Sequence, residues 1–143
     1  MTWAKISAFA LYAGLLNTIL ARSVGTCTQG DAGHLWGILI SVPFFLLAVF
    51  CLTRTKSLRT TMIACLPAWM LLLWQAVFAA EFSYGVFVNN FSACQVLQGI
   101  PYGYTGDEST LAALWTTVVF GTLAATALVY FVRRSVASAS PHP

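Results

Sequence analysis

The sequence predicts an all-α integral membrane protein, a bundle of four transmembrane helices with a folded outward loop between the third and fourth helices. Hydrophobic residues make up 59% of the 143 residues and charged residues only 8%, whereas about a quarter of the residues of a soluble domain are charged. The hydrophobic residues are also gathered in four runs of about 20 residues, the length with which a helix crosses a bilayer.

Each run is expected to be helical, because a backbone amide in hydrocarbon needs a partner within its own segment and four segments cannot close a barrel. No stretch is long and polar enough to form a separate soluble domain, so residues 1–143 are expected to form one membrane domain. The predicted helices cover residues 3–24, 35–52, 62–80 and 111–132, with the outward loop at 81–110 and a cytoplasmic tail at 133–143.

The charged residues predict the orientation of this bundle. Six of the seven basic residues share one side, namely Lys5, Arg54, Lys56, Arg59, Arg133 and Arg134. All four acids fall on the other side, namely Asp31, Glu81, Asp107 and Glu108. Because basic residues are enriched in cytoplasmic loops, both termini are predicted to be cytoplasmic, in a bacterial inner (plasma) membrane. The basic residues form no continuous stripe, so no nucleic-acid partner is expected.

The first run has an alternative interpretation as a cleaved signal peptide, because Lys5 precedes an apolar core of suitable length. The candidate cleavage site is poor, since the bulky Ile19 stands where a small residue is required. A retained helix is therefore expected.

The four cysteines divide between the two sides of the membrane. Cys27 and Cys94 lie in the two outward loops, whereas Cys51 and Cys65 lie near the cytoplasmic ends of the second and third helices. Disulfides persist in oxidising compartments, so a Cys27–Cys94 disulfide is predicted, with two free thiols as the alternative. The chain has no C-x-x-C pair for thiol exchange and no zinc or haem ligand spacing, so neither a metal nor another cofactor is expected.

Polar residues at the ends of the spans and within them allow two interpretations each. Arg22 and Glu81 close the first and third spans at the outward boundary. They are expected either to form an ion pair, since an arginine side chain can reach along the membrane, or to contact headgroups separately. Asn17 and Gln75 lie inside spans and are expected to hold helices together by hydrogen bonds of about 0.6–2 kcal/mol; the alternative is a substrate path.

Two short motifs and two prolines bear on helix packing. The A-x-x-x-G motif at residues 10–14 and the G-x-x-x-A motif at 121–125 allow close approach of a neighbouring helix, in the same chain or in another one. Pro43 and Pro67 interrupt the second and third spans and favour kinks. We expect these kinks to fit the bundle, with a cavity lining as the alternative.

The outward loop is the most distinctive segment of the sequence. Its many aromatic and aliphatic residues make it too apolar for a disordered loop, so it is expected to fold over the outer mouth of the bundle. Asp107 and Glu108 directly precede the last span and are predicted to begin its helix, because a helix N-terminus favours negative charge. The alternative is a partner or ligand surface formed by Tyr84, Tyr102, Tyr104, Asp107 and Glu108.

The sequence favours a small membrane protein that acts non-catalytically, through protein interaction, as an accessory subunit, an assembly factor or an immunity-type protein. Its expected partners are the lipid bilayer and either another protein or a second copy of the chain. A small transporter or channel subunit working as a homo-oligomer is the alternative. An enzyme is not expected, because the sequence contains no catalytic fingerprint. His34 is an acid–base candidate, but beside Trp36 it is predicted to be an interfacial anchor.

Overall fold

The computed structural model describes residues 3–24, 32–55, 58–99 and 107–139, a part of the chain that contains helices and no strand. The five helices are α1 (Trp3–Val24), α2 (Ala32–Thr53), α3 (Leu58–Phe87), α4 (Ala93–Gln98) and α5 (Asp107–Ala139). All except α4 are long and apolar enough to cross a membrane. They indicate a multi-pass membrane protein, as the sequence predicts.

The helix bounds differ from the predicted spans mainly at their polar ends. α1 has the predicted bounds, whereas α3 continues past Glu81 to Phe87 and α5 continues to Ala139. The prediction followed hydropathy, which falls where a helix leaves the hydrocarbon, but the backbone hydrogen bonds of a helix do not need to end there. α5 begins at Asp107, the first of the two acids predicted to begin it. The predicted loop 81–110 is therefore partly helical.

The four long helices form a ring in the order α2, α1, α3, α5. The contact between α1 and α2 is the most extensive, α3 packs against both α1 and α5, and α5 contacts α2 more sparsely. The short α4 lies at one end, against α3 and α5. We call this end the cap end and the opposite end, where Lys5 and Arg54 lie, the basic end.

Small residues bring α1 and α2 into close contact. A Cβ atom added to Gly37 would overlap the Cβ atom of Ala21, and one added to Gly14 would lie 2.7 Å from the ring of Phe45. Ala10 is also buried. The motif at residues 10–14 therefore packs within the chain. Gly121 differs, because nothing lies within 4 Å of a Cβ atom built there.

Hydrogen bonds join the same two helices. Asn17 Nδ2 donates to the carbonyl oxygen of Gly37 and to the hydroxyl of Ser41, at 2.9 Å in both cases. Ser41 Oγ in turn lies 3.0 Å from the carbonyl oxygen of Gly14 and 2.8 Å from that of Gly37. Asn17 thus has the packing role expected from the sequence, and α1 and α2 form a tight hairpin.

Two apolar clusters fill the bundle. The main core consists of Ala10, Leu11, Leu15, Phe45, Ala48, Ala68, Leu72, Ala79 and Phe120. The cap core, nearer to α4, consists of Phe82, Val86, Ala93, Ala112 and Ala113. All four long helices are represented in the main core, whereas the cap core joins α3, α4 and α5.

Substituting Gly37 should test the close contact of α1 and α2. We expect Gly37→Ala to lower the free energy of unfolding by about 1–3 kcal/mol, the usual cost of overpacking. Gly121→Ala is the matched control, and its effect should be neutral or stabilising by up to about 1 kcal/mol, because alanine favours a helix over glycine. Unfolding by SDS in mixed micelles measures both. Equal losses would show that the Gly37 contact is not specific.

Candidate functional site

The cap, which we define as residues 88–99, is a folded segment built around α4. The side chain of Ser92 accepts a hydrogen bond from the amide of Gln95 at 3.2 Å, and Gly99 ends the helix with a left-handed φ of 69°. Serine is favoured at a helix N-cap because its hydroxyl can accept such a bond. Glycine is favoured after the last turn because it adopts a left-handed φ without steric strain. The hydroxyl of Ser109 accepts a hydrogen bond from the amide of Ala93 at 3.1 Å. This bond fastens α4 to α5.

The other attachment of the cap is to α3. The amide of Phe91 donates to the carbonyl oxygen of Gly85 at 3.0 Å, after Asn90 has turned the chain with a φ of 54°. Asparagine is one of the few residues that tolerates this conformation. Gly85 also leaves space for Val96 of α4, whose Cγ2 lies 2.7 Å from the position of a Cβ atom at Gly85. The cap is therefore held on two sides.

An apolar surface remains exposed beside these attachments. We define the aromatic patch as the four large side chains at the end of α3 and the start of the cap. They are Tyr84, Phe87, Val88 and Phe91, which are 60%, 47%, 58% and 38% exposed. Aromatic side chains that are held on a rigid backbone are typical of a binding surface.

The structure places only some of the residues of the predicted partner surface. Tyr84 belongs to the aromatic patch, and Asp107 is exposed at the first position of α5. Glu108 is part of the same helix. Tyr102 and Tyr104 lie outside the described residues. The predicted third span ended at residue 80, so Phe87 and Val88 were not placed at helical spacing from Tyr84. The position of Phe91 depends on the turn at Asn90.

The cysteines of the described residues have different states. Cys51 and Cys65 are buried free thiols. Cys94 is buried in α4 and is not a free thiol. Its predicted partner, Cys27, lies outside the described residues, so the Cys27–Cys94 disulfide stays a prediction.

A second group of polar side chains lies inside the bundle. We define the polar layer as four buried residues, one from each long helix. They are Thr18 of α1, His34 of α2, Gln75 of α3 and Thr116 of α5. Thr116 lies one turn from Ala113 of the cap core and one turn from Phe120 of the main core. Thr116 thus lies between the two clusters on α5, whereas Gln75 on α3 lies between Leu72 and Ala79, which both belong to the main core.

His34 is buried in the bundle, which differs from the predicted interfacial anchor. Its Nε2 atom lies 3.1 Å from the hydroxyl oxygen of Thr116, which itself donates to the carbonyl oxygen of Ala112 at 2.7 Å. Thr116 must then accept from His34, so Nε2 carries the proton and Nδ1 is the acceptor nitrogen of a neutral ring. The imidazole edge also packs against Phe82, with ring centroids 5.2 Å apart.

Two atoms of the polar layer are buried without a hydrogen-bond partner among the described residues. They are Nδ1 of His34, an acceptor, and Nε2 of Gln75, a donor. A buried polar atom without a partner costs about 1–3 kcal/mol. The layer therefore contains an unused acceptor and an unused donor.

Arg22 lies at the cap end of α1, beside α3. Its guanidinium carbon is 4.3 Å from the ring centroid of Phe78 and 5.0 Å from that of Trp74, distances suited to cation–π contacts. Glu81, its predicted partner, is exposed one turn further along α3. The structure gives Arg22 these aromatic partners, and the Arg22–Glu81 ion pair stays a prediction.

The described residues define a class, a four-helix membrane bundle with a fastened cap and a closed polar layer. Within them, no group of three His, Cys, Asp or Glu side chains is placed to hold a metal ion. Comparison of the chain with protein families, with curated proteins and with solved structures finds no match. Function is therefore inferred from the geometry of the chain itself.

Peptide mapping without reduction should test the state of the cysteines. We expect a cross-linked peptide that contains Cys27 and Cys94, because the predicted outward side is oxidising. Cys51 and Cys65 should be alkylated once the protein is denatured, since both are free thiols. The Cys51→Ser, Cys65→Ser variant is the control and should keep the cross-link. Alkylation of Cys27 and Cys94 without reduction would exclude the disulfide.

Proposed function

We propose that the chain is a non-catalytic membrane protein that binds another protein at its cap end, as an accessory subunit, an assembly factor or an immunity-type protein. The proposal rests on the aromatic patch, whose four side chains are exposed on a backbone fixed by hydrogen bonds. We further propose that both termini are cytoplasmic, in a bacterial inner membrane. The cap would then face outward.

The length of α3 supports a binding role for the patch. With 30 residues and a rise of 1.5 Å per residue, the helix is about 45 Å long, compared with a hydrocarbon thickness of about 30 Å. The exposed carboxylate of Glu81 favours a position at the membrane boundary, so the last turns of α3 would extend into the headgroup layer or beyond it. Fixed aromatic side chains at this level lose little entropy when a partner binds.

The charges around the patch indicate what such a partner would present. Glu81 is exposed one turn before Tyr84 on α3, and Asp107 is exposed at the start of α5. A partner with an apolar centre and a basic rim would match this surface, because complementary charges at the rim guide association.

The positions of the acid–base candidates support a non-catalytic role. His34 is buried and bonded to Thr116, whereas Glu81 and Asp107 are exposed. A general acid or base must lie within hydrogen-bond reach of its substrate. His34 and the two acids therefore do not share one open surface.

Purification of the tagged protein from its native membranes in mild detergent tests the proposal. We expect a stoichiometric foreign protein, and the Tyr84→Ala, Phe87→Ala variant should reduce its recovery at least about tenfold, because two central aromatic contacts carry more than 1.4 kcal/mol. The control is Met70→Ala, Leu73→Ala, which removes two side chains of α3 that are each 69% exposed within the span.

The proposal predicts full recovery of the partner with the control variant. Equal losses in the two variants would indicate a general folding defect. Unchanged recovery with the patch variant would exclude the patch as the binding surface. A pure homo-oligomer would favour the transport alternative.

The second candidate function is a homo-oligomeric transporter or channel subunit, and the polar layer is the observation that favours it. A solute path needs polar atoms that are free to bind, and His34 and Gln75 each offer one. In the single chain, however, apolar core residues flank both Gln75 and Thr116 along their helices. Leu72 and Ala79 flank Gln75, and Ala113 and Phe120 flank Thr116. Pro43 and Pro67 are exposed on the outer face of the bundle, so their side chains do not line the layer.

Substituting Gln75 distinguishes a structural layer from a solute path. If the amide only packs, Gln75→Leu should raise the free energy of unfolding by about 1–3 kcal/mol, because it removes an unpaired buried donor. Thr116→Val is the contrasting control and should lower it by about 1 kcal/mol, since it removes a hydrogen bond. A loss of stability in Gln75→Leu would show that the amide binds a partner in the membrane, which favours transport.

A further inference from the structure

A groove lies between α2 and α5, on the side of the ring where these two helices contact each other most sparsely. It has a volume of about 310 Å³ and opens sideways. Apolar side chains form most of its walls, including Val42, Leu46 and Val49 of α2 and Trp115 and Val118 of α5, and Thr122 of α5 also lines it. Both walls belong to membrane spans, so the groove opens towards the hydrocarbon of the bilayer.

The groove continues into the bundle towards the basic end. A smaller cavity of about 30 Å³ shares the side chains of Val49, Leu123 and Thr126 with it and reaches Cys65 and Trp69 of α3. The hydroxyl of Thr126 donates to the carbonyl oxygen of Thr122 at 2.8 Å, within its own helix. The mostly apolar walls of the groove suit an apolar occupant.

The dimensions of the groove suit an acyl chain of one leaflet. At 1.5 Å per residue, its lining residues extend over about 10 Å of α2 and about 16 Å of α5. One half of the hydrocarbon core is about 15 Å thick. A lipid tail that enters from the basic side would thus fill the groove along its length.

The charges at the basic end define the headgroup. Arg54, whose side chain is exposed, directly follows α2, five residues after Val49. The guanidinium carbon of Arg54 is 5.2 Å from the ring centroid of Phe50, which lies one helical turn from Leu46 of the groove wall. Glu81 and Asp107, the two acids whose side chains the structure describes, lie at the cap end, far from Arg54.

We infer that the groove binds one acyl chain of an anionic phospholipid from the leaflet on the basic side, with the lipid phosphate at Arg54. A helix from a second copy fits less well. Close approach of two membrane helices favours small residues at the contact, and the exposed small residues Gly121 and Ala125 do not line the groove. This inference does not depend on the proposed protein partner at the cap.

Native mass spectrometry of the delipidated protein, titrated with phosphatidylglycerol or phosphatidylcholine of equal chain length, tests the inference. We expect one phosphatidylglycerol per chain, bound at least about fivefold more tightly than phosphatidylcholine, because cations at the surface attract anionic lipid. Thr122→Trp, which fills the groove, should reduce bound lipid at least about fivefold. Leu128→Trp is the control, on an α5 position that is 64% exposed and outside the groove.

A charge variant and an optical readout test the two halves of the site separately. Arg54→Gln should remove the preference for phosphatidylglycerol while leaving an acyl chain bound. In the unsubstituted groove, phosphatidylglycerol with brominated chains should quench the fluorescence of Trp115. The signal of Trp115 is obtained as the fluorescence difference between the unsubstituted protein and Trp115→Phe. This readout does not depend on the folding of Thr122→Trp.

Three results would overturn the inference. Equal binding of the two lipids to the unsubstituted chain would remove the headgroup site. Unchanged lipid binding by Thr122→Trp, or absence of Trp115 quenching, would remove the acyl site. Conversion of a dimer to a monomer by Thr122→Trp would show that a second copy occupies the groove.

Discussion

The close contact of α1 and α2 is the interaction on which the rest of the bundle depends. Membrane helices gain no hydrophobic energy from leaving lipid for one another, so packing and hydrogen bonds must hold them together. Gly37 lets the backbone of α2 lie directly against Ala21, and Asn17 then reaches the carbonyl oxygen of Gly37 and the hydroxyl of Ser41. Both effects require the short distance between the two helices. The hairpin then offers α3 a rigid surface on α1.

The tight hairpin has a consequence on the opposite side of the ring. α3 packs against α1, and α5 packs against α3. The ring is therefore closed least tightly between α5 and α2. Phe45 and Phe120 bridge this gap in the interior, with ring centroids 6.3 Å apart. Large rings keep helices further apart than glycine does. The groove is therefore a direct result of placing small residues on one helix pair and aromatic residues on the other.

The sequence predicted the four spans because burial in lipid requires long apolar runs, and it placed the bounds of α1 correctly. It missed α4, although Ser92 and Gly99 are ordinary helix-capping residues, because a helix of six residues has no clear periodicity. It also placed His34 at the membrane interface. The partner of His34 is Thr116, 82 residues away, and no local pattern reveals such a contact. Tyr102, which was predicted to belong to the partner surface, lies outside the described residues.

α5 connects the features that bear on function, since each of them uses a different turn of this helix. Ser109 fastens the cap, Thr116 orients His34 in the polar layer, and Thr122 lines the groove. A helix is stiff along its axis, so these contacts cannot adjust independently of one another. The sparse contact of α5 with α2 is also the weakest side of the ring. A lipid chain in that groove would therefore fill the gap beside the same helix that holds the cap in place.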